Sequence, residues 1–441
     1  MLETRQLIRE DDLNNDLIYP MVKLGGINMK KTLLMIAMSS LLSVPAQAAE
    51  VKIGVLLGFT GPIESLTPDM ANGAELAMKE ASDSGAFMGG STISPVRGDS
   101  TCVDAGAAPS TAQRLITSDG VSAIMGADCS GVTTAVLQNV ATAKGVVMIS
   151  PSATSPALST IEDDGLFFRT SPSDARQGQV LAEILKEKGI KSAAMSYTNN
   201  DYGKGLADSI QSNFEAIGGK ITISASHEDG KGDYSAEVAA LAQAGGDVLI
   251  VAGYLDQGGK GIIQASIDAG SFETFVLPDG MIGDSLPAAI GDDLNGSFGT
   301  LPGTDSPGSD KFETLAAAAG FTAGPYAPQS YDAAALMILA MEAAGSSDSS
   351  KFKGMVTSVA NAPGEKIYPG ELAKALKIIA SGGDVDYVGA TDIEMIGPGE
   401  SAGSFKEVVI TDQKITTVRY LSLIHISEPT RQAEMAYAGL G

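Results

Sequence analysis

The sequence predicts an α/β protein made of two lobes, each built on a parallel sheet. Three observations predict it. Short apolar runs alternate with stretches of helical length; three turn-rich breaks interrupt the series; and a chain of 441 residues is too long for one ordinary domain. Hydrophobic residues make up 44 % and charged residues 19 %, so a packed core is feasible and global disorder is excluded. Glycine-rich turns between Ala-rich helices suit this class better than an all-β one.

The series starts at Val51–Leu57, a nearly continuous apolar run of the kind found in buried parallel strands. A turn with Gly58, Gly61 and Pro62 follows, then a helix over Met70–Ala81 with Leu76, Ala77 and Ala81 near one face. Further strands are expected at Ser122–Met125, Val146–Ile149, Ser192–Tyr197, Ile221–Ala225, Asp247–Val251 and Phe275–Leu277, and a last one from Glu407 to Tyr420. Helices are expected at Ala108–Ile116, Val132–Ala143, Gly203–Ile217, Tyr234–Ala244 and Gly259–Ala269. Pro109 falls in an opening turn, where proline is tolerated. Strands separated by helices of about 10–15 residues imply βαβ units.

The breaks are Thr170–Ser173, Leu301–Ser309 and Gly397–Gly403. Three breaks fit two lobes crossed three times by one chain. The expected division is a first lobe over 49–170 and 302–397, and a second over 171–301 and 398–421.

Both ends read as something other than fold. Met29, Lys30, Lys31, the apolar run Leu33–Val44 and Ala46-Gln47-Ala48 make a secretion signal over 29–48, cleaved to leave Ala49 or Glu50 first. The apolar run is shorter than the about 20 residues a membrane span needs, and no other stretch could span. Residues 1–28 precede the signal and are expected to be a mis-assigned upstream segment. Residues 422–441 resemble a translated sequencing adapter and are expected to be foreign.

Composition excludes several functions. A net charge of −24 gives no attraction to phosphate backbones, so nucleic acid is not an expected partner. His227 and His425 are the only histidines and lie in unrelated contexts; no CxxC or HExxH spacing exists. No catalytic residue, metal or cofactor is therefore expected. His227, within Ser226-His227-Glu228-Asp229, reads as solvated. No GxxxxGK[ST] phosphate loop occurs.

Cys102 and Cys129 are the only cysteines, and export to an oxidising compartment makes a disulfide between them the default. Ser130 follows Cys129 at a strand-to-helix junction, where it can either cap the helix or help its N-terminus hold a carboxylate. Ser150–Pro156 follows a buried strand and puts small hydroxyl residues where open α/β sheets bind ligands. Asp279 follows Phe275–Leu277 through Pro278 and can hold an ammonium group; Tyr254 and Tyr202 also sit at strand ends. Singly, each of these is a common turn residue; their shared position gives them meaning.

The chain resembles the periplasmic leucine/isoleucine/valine-type binding proteins of ABC importers, the branched-chain amino-acid solute-binding family. The resemblance covers about 51–420. It rests on Ile53-Gly54-Val55 leading to Thr60-Gly61-Pro62, the Cys102/Cys129 pair, Gly145–Pro156, Asp201-Tyr202-Gly203-Lys204-Gly205 and Tyr331-Asp332-Ala333-Ala334. It implies the type I periplasmic binding protein fold, two Rossmann-like lobes joined by three crossover segments and closing on a ligand. It implies that Ser130, Ala153 and Thr154 hold the α-carboxylate and α-amino group, that Asp279 neutralises the ammonium, and that Tyr202 and Tyr254 line the second lobe. The implied protein is a periplasmic monomer that delivers an amino-acid-like ligand to an ABC permease. The competing readings are a sensor on the same fold, a binding protein for a short amide, urea or an aromatic acid, and a secreted hydrolase.

Overall fold

The computed structural model describes residues 48–421. Residues 1–28, the part of the expected secretion signal up to Gln47 and the stretch 422–441 lie outside the described residues.

Five strands, β1 (Glu50–Leu57), β2 (Thr92–Asp99), β3 (Ala123–Gly126), β4 (Met148–Ser150) and β5 (Phe167–Arg169), pair wholly in parallel in the order β2-β1-β3-β4-β5. Their crossovers carry α1 (Thr67–Asp83), α2 (Ala107–Arg114) and α3 (Ser130–Val136), the last continuing through a wider π turn to Lys144. In α1, Met70, Ala74, Ala77, Met78 and Ala81 recur at three- and four-residue spacing and are buried, which fixes the face turned to the sheet.

The second sheet has seven strands. They are β6 (Ser192–Thr198), β7 (Lys220–His227), β8 (Val248–Ala252), β9 (Phe275–Leu277), β10 (Phe298–Pro302), β13 (Phe405–Thr411) and β14 (Lys414–Leu421), in the order β14-β13-β10-β9-β8-β6-β7. From β7 to β10 every pair is parallel. Helices α4 (Asp174–Glu187), α5 (Asp201–Ala216), α6 (Ser235–Ala244) and α7 (Gly258–Asp268) accompany these strands. A small parallel pair, β11 (Glu365–Ile367) and β12 (Val385–Tyr387), stands apart.

The chain passes between the sheets three times: after β5, after β10, and before β13. The second passage leads through α8 (Pro307–Ala319) to α9 (Ala327–Ala344), which returns to the first sheet and packs on α1, β3 and β4. Residues 329–341 of α9 are buried on every side, as a helix apolar all round must be. Gly73 in α1 permits the close approach, because a Cβ there would fall 2.4 Å from the Ala327 carbonyl oxygen.

Three differences from the sequence reading have physical causes. The stretch Glu407–Tyr420 is not one strand but part of a hairpin: Asp412 and Gln413 adopt φ of 50° and 59°, and β13 pairs antiparallel with both β10 and β14, so this edge of the sheet is mixed. Strand β2 carries Pro95 and so did not read as a strand; it lies at the sheet edge, where a missing N–H is tolerated. His227 is not solvated. It ends β7 with 2 % exposure, its Nδ1 is 2.8 Å from Ser196 Oγ, and Gly253 and Gly258 leave room for its ring.

Burial pushes the His227 imidazole down to about 4, while the unfolded chain takes up its proton near the usual 6.5. The unfolded state therefore binds more protons between these values, and the neutral ring's contribution is lost as pH falls through that window. The wild type should lose about 3 kcal/mol more than His227→Gln between pH 6.5 and pH 4, read by urea denaturation; equal losses would remove this role. Cys102 and Cys129 are joined, as expected, over a separation of 27 residues. Replacing both by Ser should lower stability by roughly 3–4 kcal/mol at unchanged native spectra.

Candidate functional site

The carboxyl ends of both sheets face one cavity, with about 300 Å³ of space free of atoms including what opens to solvent. This is where an open α/β sheet exposes loop backbone and helix starts. One wall comes from the first sheet. Asp128, just past β3, is buried and gathers three segments: its carboxylate accepts from Gly58 N at 2.5 Å, Ser100 Oγ at 2.8 Å and Cys129 N at 3.0 Å. Desolvation raises its pKa and these donors oppose the rise.

Ser130 begins α3 and lines the cavity. It does not cap the helix. Its hydroxyl accepts from Thr154 N at 3.1 Å and Ser155 N at 3.0 Å, tying the start of α3 to the loop after β4. Both acceptor sites of the hydroxyl are thereby used, and its one O–H is left to donate. Ser152 also lines the cavity, its Oγ donating to Asp128 O at 3.0 Å.

Ala153 does not line it. Its N–H goes to Ser150 Oγ at 2.9 Å and its carbonyl accepts from Arg169 at 3.2 Å, so its backbone is engaged behind the wall. Thr154 gives its N–H to Ser130, and its carbonyl accepts from Asp174 N at 2.9 Å.

The second sheet supplies the opposite wall. Tyr202 in the first turn of α5 and Tyr254 after β8 stack with ring centroids 5.1 Å apart and planes 16° off parallel. Asp279, 1 % exposed, accepts from Tyr202 Oη at 2.8 Å and from Tyr326 Oη. Gly280 makes this geometry possible: it donates to Tyr202 Oη at 3.0 Å, and a Cβ there would come within 2.7 Å of the same oxygen. Burial raises the Asp279 pKa, and the tyrosine donors pull it back. Burial and the neighbouring carboxylates push Tyr202 and Tyr326 well above the usual phenol range, so both remain donors. Ile63 and Leu66, from the β1–α1 connection, add an apolar face.

Of the residues expected from sequence, Ser130, Tyr202, Tyr254 and Asp279 meet at the cavity; Thr154 and Ala153 stand behind it. Sequence reasoning missed Asp128, Ser152 and Tyr326. Ser152 was within reach, being the hydroxyl residue beside Ala153. Tyr326 sits at φ 64° before α9, far from any strand end, and no local pattern pointed to it.

Direct contacts bridge the two walls. Asp256 accepts from Ser65 N at 2.9 Å and Ser285 Oγ at 2.7 Å, and its N–H reaches Pro62 O at 3.0 Å. Ser155 Oγ donates to Asp201 O at 3.0 Å. Gly205 lets α5 come this near, since a Cβ would fall 2.8 Å from Pro156 Cδ. Among the described residues no cluster of His, Cys, Asp or Glu is set to hold a metal, and no helix is long and apolar enough to cross a membrane.

Two sheets whose carboxyl rims enclose an acid-and-hydroxyl cavity define a type I solute-binding fold. Residues 50–381 match the model of the family described as periplasmic binding protein, and the chain belongs to that family. It is 31 % identical over 329 residues to a Leu/Ile/Val-binding protein homologue of Brucella abortus, covering 73 % of this chain and 86 % of that protein. In fold it is similar to a leucine-binding protein of Thermotoga maritima, with a TM-score of 0.70 at 21 % identity, covering 84 % of this chain and 99 % of that one. It is likewise similar to a branched-chain amino-acid transporter substrate-binding protein of Streptococcus pneumoniae solved with isoleucine, with a TM-score of 0.69, 21 % identity and the same coverages.

Asp256 is the most connected group across the walls. Asp256→Ala should increase the radius of gyration in small-angle scattering by favouring an open form; an unchanged radius would show that the contacts close nothing.

Proposed function

We propose that the chain captures an α-amino acid with a small aliphatic side chain in this cavity, without chemical turnover, and presents it in the periplasm to the permease of an ABC importer. The observation that carries the reading is the opposition of a buried carboxylate, Asp279, to a hydroxyl wall that ends in the N-terminal end of α3. A zwitterion taken out of water needs both its charges satisfied, because an unpaired buried charge is very costly. Asp279 answers the ammonium. The free O–H of Ser130 and the start of the helical run answer the carboxylate.

Tyr202 and Tyr254 support the same end of the ligand, their stacked faces lying beside the acid. Ile63 and Leu66 support an aliphatic side chain, and relatives named as leucine, isoleucine and valine binders point the same way. Urea, a short amide or an aromatic acid brings no cation, and a cavity holding a carboxylate beside Tyr254 suits them less. The membrane partner is inferred from the family; a sensor would use the same cavity and differ only in what reads the closed form. Closure follows from mass action, since a ligand touching both walls favours the form in which both are near.

Calorimetry with leucine, isoleucine and valine tests the reading. Asp279→Asn keeps the shape and removes the charge; it should weaken binding by about 100-fold or more, the effect of stranding one member of a buried pair. Unchanged affinity would refute the role of Asp279.

A further inference from the structure

A second cavity opens where the second passage between the sheets meets α8, the start of α9 and β13. It holds about 1020 Å³ of space free of atoms including what opens to solvent, against about 300 Å³ in the first. The two cavities share only Tyr326, whose Oη is already committed to Asp279.

Lys406 lines the second cavity from β13. Successive residues of a strand face opposite ways. On one face Glu407 is answered twice, by Lys188 at 3.0 Å and by Arg419 at 2.8 Å. On the other, Lys406 closes no ion pair and no side-chain hydrogen bond among the described residues. Gly303 leaves room for its stem, since a Cβ there would fall 3.3 Å from Lys406 Cδ. Burial lowers the pKa of the ammonium, and the charge of Glu313 opposes the fall without a direct bond. A cation drawn part-way out of water with no anion against it is costly.

Gln329, 3 % exposed, lines the same cavity from α9. Its Nε2 reaches Pro302 O at 3.5 Å, and its Oε1 has no partner among the described residues. Two exposed acids, Glu313 of α8 and Asp284 beyond β9, complete the charged lining. Leu301, Phe312 and Ile415 add apolar surface.

We propose that this cavity is a second ligand site, for an amino acid with a cationic side chain of the arginine or lysine kind, whose carboxylate pairs with Lys406. The lining holds one cation and two acids, and such a ligand carries the complement, one carboxylate and two cations. Its carboxylate gives Lys406 the anion that the chain does not supply. Its nitrogen donors answer Glu313, Asp284 and the Oε1 of Gln329, and its methylenes lie on the apolar surface. The larger volume accommodates a side chain longer than the first cavity would take. This site uses none of the charged groups assigned to the first cavity, so it stands apart from the reading of that cavity.

The test is titration calorimetry of the full chain with arginine, and with agmatine, which is arginine without its carboxylate. Arginine should bind the wild type and should bind Asp279→Asn equally well, because Asp279 belongs to the other cavity. Lys406→Met keeps the stem over Gly303 and removes the charge; it should weaken arginine by about tenfold and leave agmatine unchanged. Glu313→Gln, at an exposed position, reads the same site should Lys406→Met fail to fold, and should weaken both ligands by up to about fivefold. Arginine binding lost in Asp279→Asn would place the ligand in the first cavity and overturn the proposal. Undiminished arginine affinity in folded Lys406→Met, or no arginine binding by the wild type, would overturn it as well. Neither result bears on leucine capture, which is read in a separate titration.

Discussion

The fully buried guanidinium of Arg169 is the constraint around which the site is arranged. It comes from the last strand of the first sheet, and its fork reaches the two carbonyls of the loop after β4, Ser159, and Glu400 from the third passage between the sheets. Its own N–H goes to Gly399 O at 2.9 Å, on the same passage. One side chain thus sets the shape of a cavity-facing loop and anchors a connecting segment. A buried arginine tolerates this only when every donor is used and a carboxylate answers its charge.

The first wall is held by a similar economy. Asp128 joins the ends of three neighbouring strands, and Ser130 joins the start of a helix to the next loop. These polar groups hold each other, so the wall's shape is fixed by the protein's own hydrogen bonds. On the far side, Asp332 in the Tyr331-Asp332-Ala333-Ala334 motif accepts from Tyr387 Oη at 2.8 Å, Ala390 N at 2.8 Å and both Thr391 N and Oγ1 at 2.9 and 2.6 Å. The motif therefore secures the entry to the third passage and does not line the cavity. Its presence in a sequence reports the framework more than the specificity.

Much of the site was legible because it hangs on short-range patterns. Ser130, Tyr202, Tyr254 and Asp279 each follow an apolar run and begin a turn or helix, and a parallel sheet puts all such junctions on one rim. Ala153 and Ser152 show the limit. They are neighbours in one loop, and which of them faces the cavity depends on Ser150 and Arg169 capturing the backbone of Ala153. Tyr326 lies where the chain crosses between sheets, so it follows no strand end, and no spacing connects it to Asp279.

The sequence by itself determined the α/β class, the strands and helices that alternate, the paired cysteines and the rim on which function sits, because these follow from hydrophobic period, turn chemistry and residue type. Only the tertiary structure decided that Pro95 belongs to an edge strand, that the second sheet ends in an antiparallel hairpin, that His227 is buried, and that Tyr326 meets Asp279 from 47 positions away. The reason is physical. Periodicity records which face of an element is buried, whereas the charge balance of a cavity depends on which distant side chains have already been used by others.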